Sequence, residues 1–162
     1  MRRWVWTVVL LMAPSELVAA QAMSEHRGYG YVFVAPGIAT DGVGAVATLH
    51  AGVGGERFVY RGLGIGGEIG YASALLAPSV GAGVVSVNSS YNFRRDSKLA
   101  PFVTGGYSLL FRSGAANVAN FGGGINYWFR ERLGLRLELR DHFAVQNTSV
   151  HGVGLRIGLA FR

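Results

Sequence analysis

Six ionisable side chains, Glu56, Glu68, Arg136, Glu138, Arg140 and Arg156, are the residues of this chain best suited to chemistry. Arg136, Glu138 and Arg140 recur at every second position, and on a β-strand that spacing points all three to one face. Carboxylates and guanidinium groups held so close serve either acid–base catalysis or a structural ion network. A second set, Asp141, His142, Ser149 and His151, contains the orienting acid, base and nucleophile that a hydrolase needs. A third is RGLGIGGEIGYASA, Arg61 to Ala74, in which Gly62, Gly64 and Gly67 spell G-x-G-x-x-G, the spacing that cradles a dinucleotide pyrophosphate.

The elements that carry these residues decide among the three. A dinucleotide fingerprint needs its glycine turn to open a helix. After Gly67 the chain instead reads Glu68-Ile69-Gly70-Tyr71, which keeps strand alternation, so the glycines are expected to make room for Glu68 in a crowded interior. The composition agrees: 25 of 162 residues are glycine and only 15% are charged, against usual shares of about 7% and about 25%. Glycine is a poor helix residue, and an apolar chain is a poor candidate for disorder. The length suits a single domain. Without cysteine there is no disulfide, zinc–thiolate site or thiol nucleophile.

The beginning, MRRWVWTVVLLMAPSELVAAQA, has Arg2 and Arg3, an apolar run from Trp4 to Ala13, and the A-x-A pattern Ala20-Gln21-Ala22. It reads as a signal peptide over residues 1–22, cleaved to leave a barrel domain over 23–162, because the apolar run is too short for a spanning helix.

Glycines then recur two apart, as at Gly28 and Gly30, Gly64 and Gly66, and Gly152 and Gly154. In VGLRIGLAF, Val153, Leu155, Ile157, Leu159 and Phe161 alternate with Gly154, Arg156, Gly158 and Ala160. LGLRLELR sets Leu133, Leu135, Leu137 and Leu139 opposite Gly134, Arg136, Glu138 and Arg140. The same rule gives eight segments, approximately 27–35, 43–57, 61–73, 80–93, 99–111, 118–129, 132–143 and 150–161, each about the length of a tilted membrane strand. Turn residues separate them at Pro36-Gly37 with Asp41-Gly42, Ala77-Pro78-Ser79, Arg94 to Ser97, Ser113-Gly114, Arg130-Glu131 and Asn147 to Ser149.

Small and ionisable residues on one face and continuous apolar rows on the other suit a narrow closed barrel whose apolar rows meet lipid. The expected inward set is His50, Glu56, Glu68, Ser86, Asn88, Ser90, Thr104, Asn120, Asn126, Arg136, Glu138, Arg140 and Arg156. Tyr29, Tyr60, Tyr91, Phe93, Tyr127, Phe129 and Phe161 are expected to girdle one rim, and Tyr71, Phe111, Phe121 and Phe143 the other. The fold class is therefore all-β: a closed antiparallel up-and-down eight-stranded transmembrane barrel.

In HAGVGGERFVYRGLGIGGEIGY, APFVTGGYSLLF and the final GVGLRIGLAF, the chain resembles the small OmpA-like or opacity-type outer-membrane barrels of Gram-negative bacteria. The resemblance covers nearly the whole mature chain. It implies an outer-membrane location, interior ion pairs, a narrow or gated pore, and delivery by the outer-membrane assembly machinery, which reads an aromatic terminal residue in such barrels. Here Phe161 is followed by Arg162.

The expected function is a structural barrel or small restricted pore with a salt-bridged polar lumen, monomeric, in contact with outer-membrane lipid, and without catalytic residues, cofactor or metal. The formal charge of +6 does not indicate nucleic acid, because Arg57, Arg61, Arg94, Arg95, Lys98, Arg130 and Arg132 fall at the turns of one rim and interleave with no stacking aromatics. Loops at the other rim, about six to eight residues each, give no support to large receptor-binding loops. Two alternatives remain: a lipid A-modifying hydrolase at Ser149 and His151, and a soluble secreted barrel carrying a ligand.

Overall fold

The computed structural model describes residues 27–144 and 150–162, apart from the side chain of Val80. The expected signal peptide, residues 1–22, lies outside the described residues. Eight strands follow in order: β1 (Gly28–Thr40), β2 (Ala45–Tyr60), β3 (Leu63–Ala74), β4 (Ala77–Asn92), β5 (Leu99–Phe111), β6 (Ala115–Arg130), β7 (Leu133–Ala144) and β8 (His151–Phe161). Each pairs antiparallel with its sequence neighbours, and β8 pairs back onto β1, so the sheet is a closed up-and-down barrel with no free edge.

Side-chain orientation follows the two-residue period. Leu137, Leu155 and Ile157 lie on the outer surface at 43%, 48% and 42% exposure, whereas Arg136, Arg140 and Arg156 between them are at most 2% exposed. Val53, Ile65, Ile69, Val87 and Leu139 continue the apolar outer belt. Tyr60, Tyr91, Phe93, Tyr127, Phe129, Phe161, Tyr71, Phe111 and Phe121 are also exposed on the outside, and Phe143 is half-buried. Tyr29 is the exception to the expected girdle: it points into the lumen and is 6% exposed.

Several expected breaks shift. Pro36 and Gly37 lie inside β1, opposite Leu49 and Thr48 of β2. Pairing between β1 and β8 lapses at Ala35 and Pro36, so the missing proline N–H interrupts no ladder bond there. The true turn after β1 is at Asp41, whose carboxylate accepts the backbone N–H groups of Val43 and Gly44 at 3.0 and 2.9 Å. Those two bonds hold the Asp41 carboxyl below its usual pKa. The loops 41–44, 75–76 and 112–114 are shorter than expected because β1 runs on to Thr40, β4 begins at Ala77 and β6 at Ala115, absorbing the turn residues into strands. The break that the sequence hides between β2 and β3 is the pair Arg61-Gly62, with Arg61 in the left-handed region at φ 48°.

Glycine on the lumen face gives room to large neighbours. A Cβ on Gly54 would lie 2.7 Å from the Tyr31 ring and 2.8 Å from Glu68 Cγ. A Cβ on Gly64 would lie 2.8 Å from Glu56 Cγ, so the G-x-G-x-x-G stretch clears space for Glu56 while Gly54 clears it for Glu68. Gly67, on the outer face, would meet nothing closer than Ser86 O at 3.6 Å. Gly54→Ala is therefore expected to destabilise the barrel by about 1–3 kcal/mol through overpacking, and Gly67→Ala to leave it unchanged or slightly more stable, in urea unfolding from lipid vesicles. Equal losses at both positions would contradict this account of the glycines.

Candidate functional site

The centre of the lumen is a chain of charge-assisted hydrogen bonds. It begins on β7, whose alternation aims Arg136, Glu138 and Arg140 inward in a row. Arg136 donates to Glu138 Oε2 from Nε at 3.0 Å and from Nη2 at 2.8 Å, two charge-assisted bonds on one oxygen. Arg140 donates from Nε to the other oxygen of Glu138. Across the barrel, Glu68 of β3 accepts Arg140 Nη1 at 3.0 Å and Arg156 Nη1 of β8 at 2.9 Å. Tyr31 adds a hydroxyl donor to Glu68 at 2.7 Å.

Glu56 occupies a different place. It accepts from Tyr29 at 3.0 Å and Asn92 at 2.7 Å, and it reaches Arg136 only through Tyr29, whose hydroxyl accepts Arg136 Nη1 at 2.9 Å. The six residues read from the sequence are thus all inward, with Glu68, Arg136, Glu138, Arg140 and Arg156 in direct ionic contact and Glu56 linked through a phenol. A second row on β4, β5 and β6 is neutral: Ser86 and Ser108 lie 2.8 Å apart, and Asn120 donates to Asn88 and Ser108 at 3.0 Å.

Aromatic rings cover the cations. The Arg136 guanidinium lies 3.9 Å from the Phe102 centroid and 4.5 Å from that of Tyr31, and Arg156 lies 4.3 Å from that of Phe33. Such contacts contribute on the order of 2 kcal/mol where water is excluded. Toward the rim that holds Gly28 and Phe161, Tyr29, Phe58 and Trp128 pack together, and Arg162 lies over the Trp128 ring at 3.8 Å.

Tyr29, Tyr31, Phe33, Phe102 and Trp128 are lumen aromatics that sequence reasoning missed, and Asn92, Ser108 and His142 are polar lumen residues it also missed. On β1, Tyr29, Tyr31 and Phe33 alternate with Gly30, Val32 and Val34, so both faces look apolar and hydropathy cannot orient the strand. The available signal was register: Tyr29 stands opposite Glu56 in the β1–β2 pairing, and a buried phenol needs a polar partner.

Of the hydrolase set, Asp141 and His151 come together and His142 does not join them. His151 Nδ1 lies 3.2 Å from Asp141 Oδ2 near the rim, while His142 points into the lumen with its ring centroid 6.2 Å from that of His50. Ser149 lies outside the described residues. No group of three or more histidine, aspartate or glutamate side chains among the described residues is placed to hold a metal ion.

No protein-family model matches the chain, and no curated protein matches it in sequence. Solved structures do match in fold. Neisserial surface protein A (NspA) superimposes with a TM-score of 0.66 at 14% identity, over 83% of this chain and 96% of that one. The N-terminal β-barrel domain of Pseudomonas aeruginosa OprF gives 0.57 at 18% identity, over 82% and 97%. A de novo designed transmembrane β-barrel gives 0.55 at 22% identity, over 86% and 98%. The chain has the fold of a small transmembrane β-barrel.

With that fold and a belt of exposed aliphatic side chains around its outside, the soluble carrier is excluded on physical grounds. Soluble monomers rarely expose contiguous apolar patches larger than a few hundred Å². The lumen network makes its own prediction. Arg140→Met removes the donors to Glu138 and Glu68 but leaves each carboxylate with one cation, and is expected to cost about 1–3 kcal/mol in urea unfolding. A loss under about 0.5 kcal/mol, the size of a surface substitution, would show that these contacts carry no stability.

Proposed function

We propose that this protein is an outer-membrane β-barrel of structural character whose salt-bridged lumen acts as a plug, so that it is at most a small restricted pore. The observation that carries the reading is the reversal of an ordinary protein's polarity: aliphatic rows outside, ionic network inside. No enzymatic step is assigned. The barrel works as a monomer, since it closes on itself and leaves no strand edge for a second copy.

The further parts of the reading rest on sequence and on the shape of the rims. Residues 1–22 direct export and are removed. The outer-membrane assembly machinery recognises the last strand, GVGLRIGLAF, although Arg162 follows its aromatic Phe161. Even strand number puts the first and last strands' free ends at one rim, together with the turns at Arg61, Arg94 to Lys98 and Arg132. That basic rim faces the periplasm and meets anionic headgroups of the adjacent leaflet.

Two measurements test this. The chain extracted in detergent is expected to migrate differently on a gel before and after heating, as a closed barrel does. In planar bilayers it is expected to pass only small, restricted current steps. The double variant Arg136→Ala/Glu138→Ala, which removes a cation and an anion together, is expected to raise the step size several-fold. A large steady current through the unaltered chain would show that the network does not fill the lumen.

A further inference from the structure

The ion network and the aromatic rings fill one half of the lumen and leave the other half open. Between the network and the rim that carries loops 41–44 and 112–114 lies a cavity of about 330 Å³. Its walls are small or aliphatic, among them Ala35, Ala82, Val84 and Leu110. Its floor is cationic, made by Arg140 and Arg156, with His142 beside them.

Two independent features point to a ligand there. First, positive charge is gathered at the cavity end: Arg140 and Arg156 both pair with Glu68, and Glu138 is shared between Arg140 and Arg136. Glu56 brings the six lumen charges into balance, but from the far end, on Tyr29 and Asn92 beside Arg136. Second, Arg156 is 2% exposed and its Nη2 atom has no hydrogen-bond partner among the described residues. His142, which lines the same cavity, has no partner at Nε2 either. A buried charged donor left without a partner is unfavourable, and a turn of the guanidinium toward an anion at this floor would supply the partner.

We propose that the cavity binds a small anionic amphiphile, a monocarboxylate with an apolar body, its head group on Arg156 and His142 and its body along the alanine and valine wall. A single carboxylate head group suits this locally positive floor. At about 30 Å³ for each water-sized group, the volume takes about ten such groups, the size of a medium-chain carboxylate. Small, mostly apolar walls with a few convergent polar groups are the usual makeup of a ligand pocket.

The test is a solution-NMR titration of the refolded full barrel in zwitterionic micelles, with octanoate, octanol and acetate as probes. Octanoate is expected to produce saturable amide shifts at Ala82 and Gly152, which border the cavity, and none at the outward-facing Val85 and Leu139. Octanol, without the charge, and acetate, without the chain, are each expected to bind at least about tenfold more weakly. Arg156→Gln is expected to weaken octanoate by about tenfold or more. Because that variant also disturbs Glu68, a second one, Ala82→Leu, narrows the cavity and leaves every ionic contact in place. It is expected to abolish the octanoate shifts while the remaining spectrum stays that of the folded barrel.

Equal affinity for octanoate and octanol, acetate binding as tightly as octanoate, shifts confined to the outer face, or unchanged binding by Ala82→Leu would each overturn the proposal. None of these outcomes bears on whether the barrel conducts.

Discussion

Five ionised side chains, Glu68, Arg136, Glu138, Arg140 and Arg156, share the interior of an eight-stranded barrel, and the need to keep each of them partnered governs the rest of the structure. An isolated buried ion costs several kcal/mol even after relaxation, so each must find an opposite charge and hydrogen bonds that satisfy its remaining atoms. The strand period meets that demand on β7 by lining up Arg136, Glu138 and Arg140. The closure of the sheet meets it across the barrel by bringing β3 and β8 to the same centre through Glu68 and Arg156. An open sheet would leave half of these contacts unmade.

Space is the second consequence. Guanidinium and phenol side chains fit a narrow lumen only where facing strands give up their own side chains, which is why glycines stand opposite them. The same economy divides the lumen along its axis. On one side of the network, Tyr29, Phe58, Trp128 and Arg162 close it with rings. On the other, alanine and glycine leave a cavity floored by cations. Passage along the axis therefore meets an ionic and aromatic barrier, while entry from the loop side stops at a charged floor.

Much of this was legible in the sequence, for a specific reason. On β7 and β8 the two faces differ in kind, leucine against arginine and glycine, so a period of two both identifies the strand and orients it. The inward set and the closed eight-stranded order follow from that rule alone. It fails where both faces are apolar. On β1, Tyr29 reads as an interfacial aromatic until its pairing opposite Glu56 is known, and Pro36-Gly37 reads as a turn until β8 is seen to leave a gap beside it. The Arg61-Gly62 turn was hidden because a left-handed arginine carries none of the usual turn signals. The ion pairing itself is a property of register between distant strands, which hydropathy does not encode.

The polarity of the wall is the claim on which every other statement rests. Intermolecular nuclear Overhauser effects between side-chain methyls and the alkyl chains of a detergent or lipid measure it without altering a residue. The methyls of Leu137, Leu139, Leu155 and Ile157 are expected to show them, and those of Ala100 and Ala160 to show none. Alkyl contacts from the two alanines, together with silence from the four outer residues, would contradict a barrel that turns its charges inward.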